Sequence, residues 1–312
     1  MTGFDHILII GFGGPENREE IMPFLEHVTR NRNIPEARLQ EVARHYEKVG
    51  GFSPYNAYTF QLADKLKASL LAEGMGLPVF VGMRNWHPFL DVTLSDIKIR
   101  GLKKGLGIIL APHRSETSYE RYIQNVKDAR QAVEAEGIEY QYLKPWHDHP
   151  LFIQAQADEV KKVLDALASA EQKEVHLLFS AHSIPLNMSG CAGYRDEFRR
   201  SSELVASELG VNRWSLAYQS RSGNPREAWL EPDVLSAIRQ LAEKGEKRVA
   251  LVPVGFLCDN VEVLYDLDVE AKEAAEKAGI QYLRARTVTD NPKFVAMLKT
   301  LIGELSLASN SA

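Results

Sequence analysis

The chain has 312 residues, 45% of them hydrophobic and 25% charged, ordinary globular values with apolar material for about two domains. Its net charge of −5 excludes a broad electrostatic footprint for nucleic acid, so no nucleic-acid partner is expected. Its two cysteines, Cys191 and Cys258, form no CxxC pair, which fits a reducing compartment and opposes a structural zinc site or an iron–sulfur cluster held by this chain alone. No apolar stretch approaches the ~18 residues of a membrane span. The start, MTGFDHILIIGFGGPE, lacks the basic region and apolar length of a signal peptide. A soluble, cytoplasmic protein with no transmembrane segment is expected.

HILII at 6–10 predicts a first strand, ending in Gly11-Phe12-Gly13-Gly14-Pro15. This turn lacks the Lys-Ser/Thr of a P-loop and the spacing of a dinucleotide fingerprint. Its glycines are read as room for the close approach of something flat or bulky, with Phe12 as a wall. A helix over 17–29 leads to a polar, basic loop holding Arg30 and Arg32. Helices over 36–49 and 58–72 flank the break Gly50-Gly51-Phe52-Ser53-Pro54. Strand 77–81, helix 90–100, strand 106–111, helix 118–136 and strand 139–143 complete a first unit. The alternation then repeats: helix 151–170, strand 175–180, helix 195–209, strand 214–218, helix 232–243, strand 249–254, an acidic helix, strand 281–284 and a closing helix 291–305. This predicts the α/β class, with two similar units, each a four-stranded parallel sheet flanked by helices. The expected domains are 1–147 and 148–312, with the closing helix free to pack back on the first.

The stretch 175–185, VHLLFSAHSIP, is an apolar run closed by a polar tip and a proline, which reads as a strand buried on both faces. Open α/β sheets bind ligands beyond the carboxyl ends of their strands. His182 sits at such an end, with an ordinary pKa of about 6.5 that suits proton transfer or metal handling. A His-Ser capping turn without chemistry is the plain alternative. A second strand of this design, RVALVPVGF at 248–256, runs into the acidic helix, where Glu262, Asp266 and Glu270 are spaced by four. Residues so spaced share one side of a helix. Three like charges in a row repel, and cation binding or proton relay is a reason to keep them; an exposed acidic face is the alternative. Strand ends would present Phe12, His87, His113, His182, Ser220 and Glu262 to one rim, and a cleft between the domains is the expected binding place. A Ser183–His182–Asp259 triad can be written, but neighbours on a strand end point apart. Phe12, Trp86, Tyr122, Trp146, Tyr194 and Trp229 suit a large flat ligand, or they fill cores.

SAHSIP at 180–185 and PVGFLCDNVEVLYDLDVEAK at 253–272 resemble the ferrochelatase family. So do FGGPE at 12–16, GGFSP at 50–54, APHRSETSYERY at 111–122 and AWLEPDV at 228–234, in order and spacing over nearly the whole chain. The resemblance implies two Rossmann-like, chelatase-type domains and insertion of Fe²⁺, as substrate, into a porphyrin. It makes His182 a proton acceptor, a metal ligand or both. It makes Glu262 the catalytic carboxylate facing that histidine across the cleft. Asp266 and Glu270 become an outer path for a hydrated divalent cation on the acidic helix. Phe12, Arg30 or Arg32, Ser53, Tyr122 and Trp229 become porphyrin contacts, an arginine being able to take a carboxylate bidentately.

Ser53, Tyr122, the chain end near 310 and the stretch VTRNRNIPEARLQEVARHY at 28–46 point to the branch that converts coproporphyrin III to coprohaem in haem biosynthesis. Protoporphyrin IX stays open, because Phe12 stands where soluble Gram-positive members carry a tyrosine, and His45 where some carry an arginine. The cysteines of the iron–sulfur cluster found in several members are missing, so none is expected. Transient contact with other haem-pathway enzymes is a further implied partnership. Competing expectations are a sirohydrochlorin chelatase, a non-catalytic porphyrin or haem carrier, and a small-ligand binder of periplasmic type.

Overall fold

Strands β1 (His6–Gly11), β2 (Val79–Met83), β3 (Lys104–Ile109) and β4 (Glu139–Tyr142) form one parallel sheet in the order β2-β1-β3-β4. Strands β5 (Val175–His182), β6 (Trp214–Gln219), β7 (Arg248–Val252) and β8 (Gln281–Arg284) form a second in the order β6-β5-β7-β8. This is a computed structural model, and it describes residues 3–30, 34–222 and 226–308. Both sheets are the four-stranded parallel units expected from the alternation of elements. Helices on both faces leave the middle strands dry, so β1 is buried at every position and β5 at all but its last, His182. The edge strands β4 (EYQY) and β8 (QYLR) are short and only half-buried.

The chain divides into two units. The first holds Met1–Leu110, Thr117–Pro145 and Thr289–Ala312; the second holds Ala111–Glu116 and Trp146–Val288. In the first, the closing helix Pro292–Ala308 packs on the helix Tyr55–Leu71. Phe294, Met297, Leu298 and Ile302 on it are fully buried. Lys65 Nζ donates to the Asp290 carbonyl at 3.1 Å, fixing the approach to this helix. Helix Tyr55–Leu71 starts three residues before the expected 58, directly after Pro54. A proline is tolerated there because the first helical N–H groups have no partner to lose.

In the second unit, the short segment Ala111–Glu116 is held by helix Cys191–Glu208. His113 Nε2 lies 3.0 Å from Ser201 Oγ, and the Arg114 N–H donates to the Glu197 carboxylate at 2.6 Å. His113 is therefore buried against a helix and does not reach an open rim. That helix begins at Cys191 because Gly190 turns the chain with φ 77°, a left-handed conformation that glycine adopts without steric cost. Among the described residues, no helix is long and apolar enough to cross a membrane.

Candidate active site

Three strand ends of the second unit meet at one place. β5 runs buried to His182, its final residue. β6 ends opposite it at Gln219, in register with His182. β7 leads through Pro253-Val254-Gly255-Phe256 to Asn260, whose side chain accepts from the Val263 N–H at 2.9 Å and caps the helix Val261–Tyr265. Glu262 sits in the first turn of that helix. A β-carbon on Gly255 would come 2.5 Å from Ala181 Cβ, so glycine is needed for this turn to lie against β5.

His182 Nε2 lies 3.6 Å from Glu262 Oε1. Both residues belong to the second unit. Glu262 thus faces His182 from the helix that follows the neighbouring strand. The reason is topological: β5 and β7 are adjacent, so the residues beyond their carboxyl ends converge. His182 Nδ1 donates to the Ser183 carbonyl, which commits Nε2 to face Glu262. Burial opposes protonation of this imidazole, but Glu262, by charge and hydrogen bond, together with the Ser183 carbonyl and Asp266, raises its pKa above the ordinary value.

Asp266 follows one turn on. Burial pushes its carboxyl up to about 7; the Ser220 hydrogen bond opposes this, while Glu262 and Glu270 add to it. The Ser220 hydroxyl donates to Asp266 Oδ2, and Gln219 Nε2 donates to the Glu262 carbonyl at 2.9 Å. Ser220 holds φ 60°, uncommon for a residue with a side chain. Glu270 is exposed at the outer end of the row. Among the described residues, no group of three or more His, Cys, Asp or Glu side chains is arranged to hold a metal ion. The row is an open succession of carboxylates, without a closed cage.

The acidic helix is not one regular helix. Val261–Tyr265 and Lys272–Lys277 are α-helical, and Asp266–Ala271 between them is a π-turn. In an α-helix a four-residue step over-rotates by about 40°. The wider π-turn corrects that drift. It lets buried Val263, Leu267, Ala271 and Ala275 keep one line, with Glu262, Asp266 and Glu270 beside them.

The other nominated residues separate into groups. Ser183 Oγ donates to the Leu230 carbonyl, and Asp259 pairs with Arg284 and Thr287, so the Ser183–His182–Asp259 triad does not form. Of the six aromatics, Trp86, Tyr122, Trp146, Tyr194 and Trp229 are buried, and only Phe12 keeps an exposed face. Tyr194 supports the site indirectly, donating from its hydroxyl to the His182 carbonyl at 2.9 Å. Trp229 pairs by its backbone with Pro185, in the loop that follows His182.

On the first unit, Tyr122 is buried with the Arg84 guanidinium 5.7 Å over its ring. Arg30 is exposed beside His27, and Arg32 lies outside the described residues. Ser53 is buried, its Oγ accepting from the Tyr55 N–H at 3.4 Å. The glycine turn after β1 is filled by the protein itself. A β-carbon on Gly14 would meet Ser53 Cβ at 2.7 Å, and one on Gly11 would meet Met83 Sδ at 2.8 Å. These glycines make room for neighbouring side chains. Neither cysteine forms a disulfide, and both are buried.

Gln219 had no assigned part, and the π-turn was not anticipated. A polar residue directly after a buried strand was the available signal for the first; four-residue spacing of an apolar row was the signal for the second.

The fold is that of the chelatases. The sirohydrochlorin chelatase SirB from Bacillus subtilis superposes with a TM-score of 0.56 at 10% identity, over 97% of this chain and 95% of that one. CbiX, described as the terminal enzyme of sirohaem biosynthesis in denitrifying bacteria, gives 0.55 at 14% identity, over 96% and 98%. Sequence narrows the class: the ferrochelatase family model matches residues 5–305, and the chain belongs to that family of porphyrin-metallating enzymes. A relative from Rhodopirellula baltica described as ferrochelatase is 38% identical over 97% of this chain and 87% of its own length. Relatives described as coproporphyrin III ferrochelatase include those of Mycolicibacterium smegmatis, 37% identical over 97% and 90%, and Corynebacterium glutamicum, 36% identical over 97% and 85%.

Proposed function

We propose that this ferrochelatase inserts Fe²⁺ into coproporphyrin III to give coprohaem, with His182 and Glu262 at the reacting centre. The observation that carries the site assignment is the committed imidazole: Nδ1 is bound to the Ser183 carbonyl and Nε2 faces Glu262 at 3.6 Å. Metal insertion must remove two pyrrole protons and exchange the water on Fe²⁺ for ring nitrogens. A neutral imidazole offers its Nε2 lone pair to either partner, because it is both a base near neutral pH and a borderline ligand. The imidazolium formed on proton uptake is stabilised by Glu262. Asp266, raised to about 7, can accept and release a proton at neutral pH. Asp266 and Glu270 extend from Glu262 as the path for hydrated cation inward or proton outward. Phe12 and Arg30 provide exposed aromatic and cationic groups for the ring and its carboxylates. Ser53, Tyr122 and Trp229 are assigned to the porphyrin surface from behind, as buried residues that shape it.

The choice of coproporphyrin III rests on the relatives that carry that description at 36–37% identity. Protoporphyrin IX is the second reading, kept open by Phe12 and His45, which depart from the tyrosine and arginine that the resemblance leads one to expect. Anaerobic Fe²⁺ insertion followed by visible absorption, with the two porphyrins side by side, separates them. Insertion into the four-carboxylate ring alone is expected. Preference for protoporphyrin overturns the substrate and keeps the chemistry, and binding of either ring without insertion makes the chain a carrier.

A further inference from the structure

We infer that Gln219 is the positioning residue that sets His182 and Glu262 against each other, an inference that rests on the assignment of that pair to metal insertion. Gln219 is the last residue of β6 and the register partner of His182. Its backbone carbonyl accepts from the Ser183 N–H at 2.8 Å, holding the peptide bond that follows His182. Its side-chain Nε2 donates to the Glu262 carbonyl at 2.9 Å and lies 3.5 Å from Asp266 Oδ2. One residue thus grips both halves of the pair, the first by its backbone and the second by its side chain. The Glu262 carbonyl already accepts from the Asp266 N–H, and Gln219 takes its second lone pair.

The side chain has little freedom to do anything else. Gln219 is 5% exposed, which confines it to one conformer. Turning the amide over would set its oxygen against the Glu262 carbonyl, so the donor must face Glu262. Oε1 is then left buried with no hydrogen-bond partner. A methionine or leucine of similar volume would fill the place without that orphaned oxygen. The amide is therefore a poor choice for packing and a good one for holding a helix turn in register with a strand end. The next residue, Ser220, bends to φ 60° and gives its hydroxyl to Asp266. Two consecutive residues of β6's end are thus directed at the turn carrying the acidic row.

The test compares Q219M, Q219N, E262Q and the double variant Q219M/E262Q in the full-length protein. It measures kcat and KM for anaerobic Fe²⁺ insertion, with melting temperature as the folding control. Loss of the donor displaces Glu262 by a fraction of its contact distance, and misplacement on that scale costs up to about 100-fold in rate. Q219M is expected to lower kcat by about 10- to 100-fold with the porphyrin KM within about twofold of the parent. In the E262Q background the same substitution should change kcat by less than about threefold, because residues acting through one another are not additive. Parental kcat in Q219M beside a crippled E262Q overturns the inference, as do losses that multiply in the double variant. Unfolding of both Q219M and Q219N makes Gln219 a folding residue and overturns it equally. A fully active E262Q strikes instead at the assignment of the pair.

Discussion

The two nitrogens of His182 have separate duties, one to hold the ring and one to meet the reactants. His182→Ala removes both, and insertion should fall by at least the ~100-fold that general acid–base groups contribute. Porphyrin binding, followed by fluorescence quenching, should be retained, and equal loss of binding would move His182 from chemistry to affinity. His113 shows the opposite use of an imidazole. Burial, then the neighbouring His147, depress its pKa to about 3. The unfolded chain takes up this proton near pH 6.5 while the folded one refuses it. Its contribution to stability is complete above pH 6.5 and is lost as pH falls toward 3, with a slope of at most about 1.4 kcal/mol per pH unit. His113→Asn should flatten the fall in denaturation midpoint between pH 6.5 and about 4, whatever it does to stability at pH 7; an unchanged slope would mean that the histidine charges in the folded state. In the sequence these two histidines look alike, each beyond a strand. Only tertiary packing tells an imidazole held at a strand end from one covered by a helix, so the place of His182 at the end of β5 was legible and the burial of His113 was not.

The π-turn is stabilised from below. The Arg284 guanidinium, at the end of β8, binds both oxygens of Asp268 at 2.6 and 2.8 Å and reaches Asp259 at 3.1 and 3.4 Å. Asp259 also accepts from Thr287 at 3.2 Å. One partly buried cation thus ties the loop before the Asn260 cap to the turn after Asp266. Arg284→Met leaves two carboxylates unbalanced, one of them nearly buried, and should cost about 3 kcal/mol in urea denaturation. A loss well under 1 kcal/mol would show the network to be solvent-screened. Strand and helix types were legible because buried parallel strands read as unbroken apolar runs and the helices carry a periodic apolar face. The acidic row was legible as a spacing of four, but spacing cannot report that the helix widens there. That change arises from burying a strict four-residue apolar line, a tertiary demand.

The same strand order, with the first strand second from the edge, occurs in both sheets. Repeated α/β alternation was enough to predict two parallel sheets. Leu298 lies fully buried on the closing helix, which returns to the first unit. Leu298→Ala should destabilise by about 2–5 kcal/mol. Hydrogen exchange should quicken across β1, β2 and helix Tyr55–Leu71 before it does in β5 and β7. Exchange raised equally in both units would mean that they unfold as one. The returning helix also bears on synthesis. Domains usually fold in the order in which they leave the ribosome. Here every part of the second unit has been made by Val288, while the first still waits for the Pro292–Ala308 helix that covers its apolar face. The half of the protein translated first is the half completed last. Chains truncated between Val288 and Pro292 should therefore carry a protease-resistant β5–β8 core beside an unfinished, chaperone-dependent amino-terminal half.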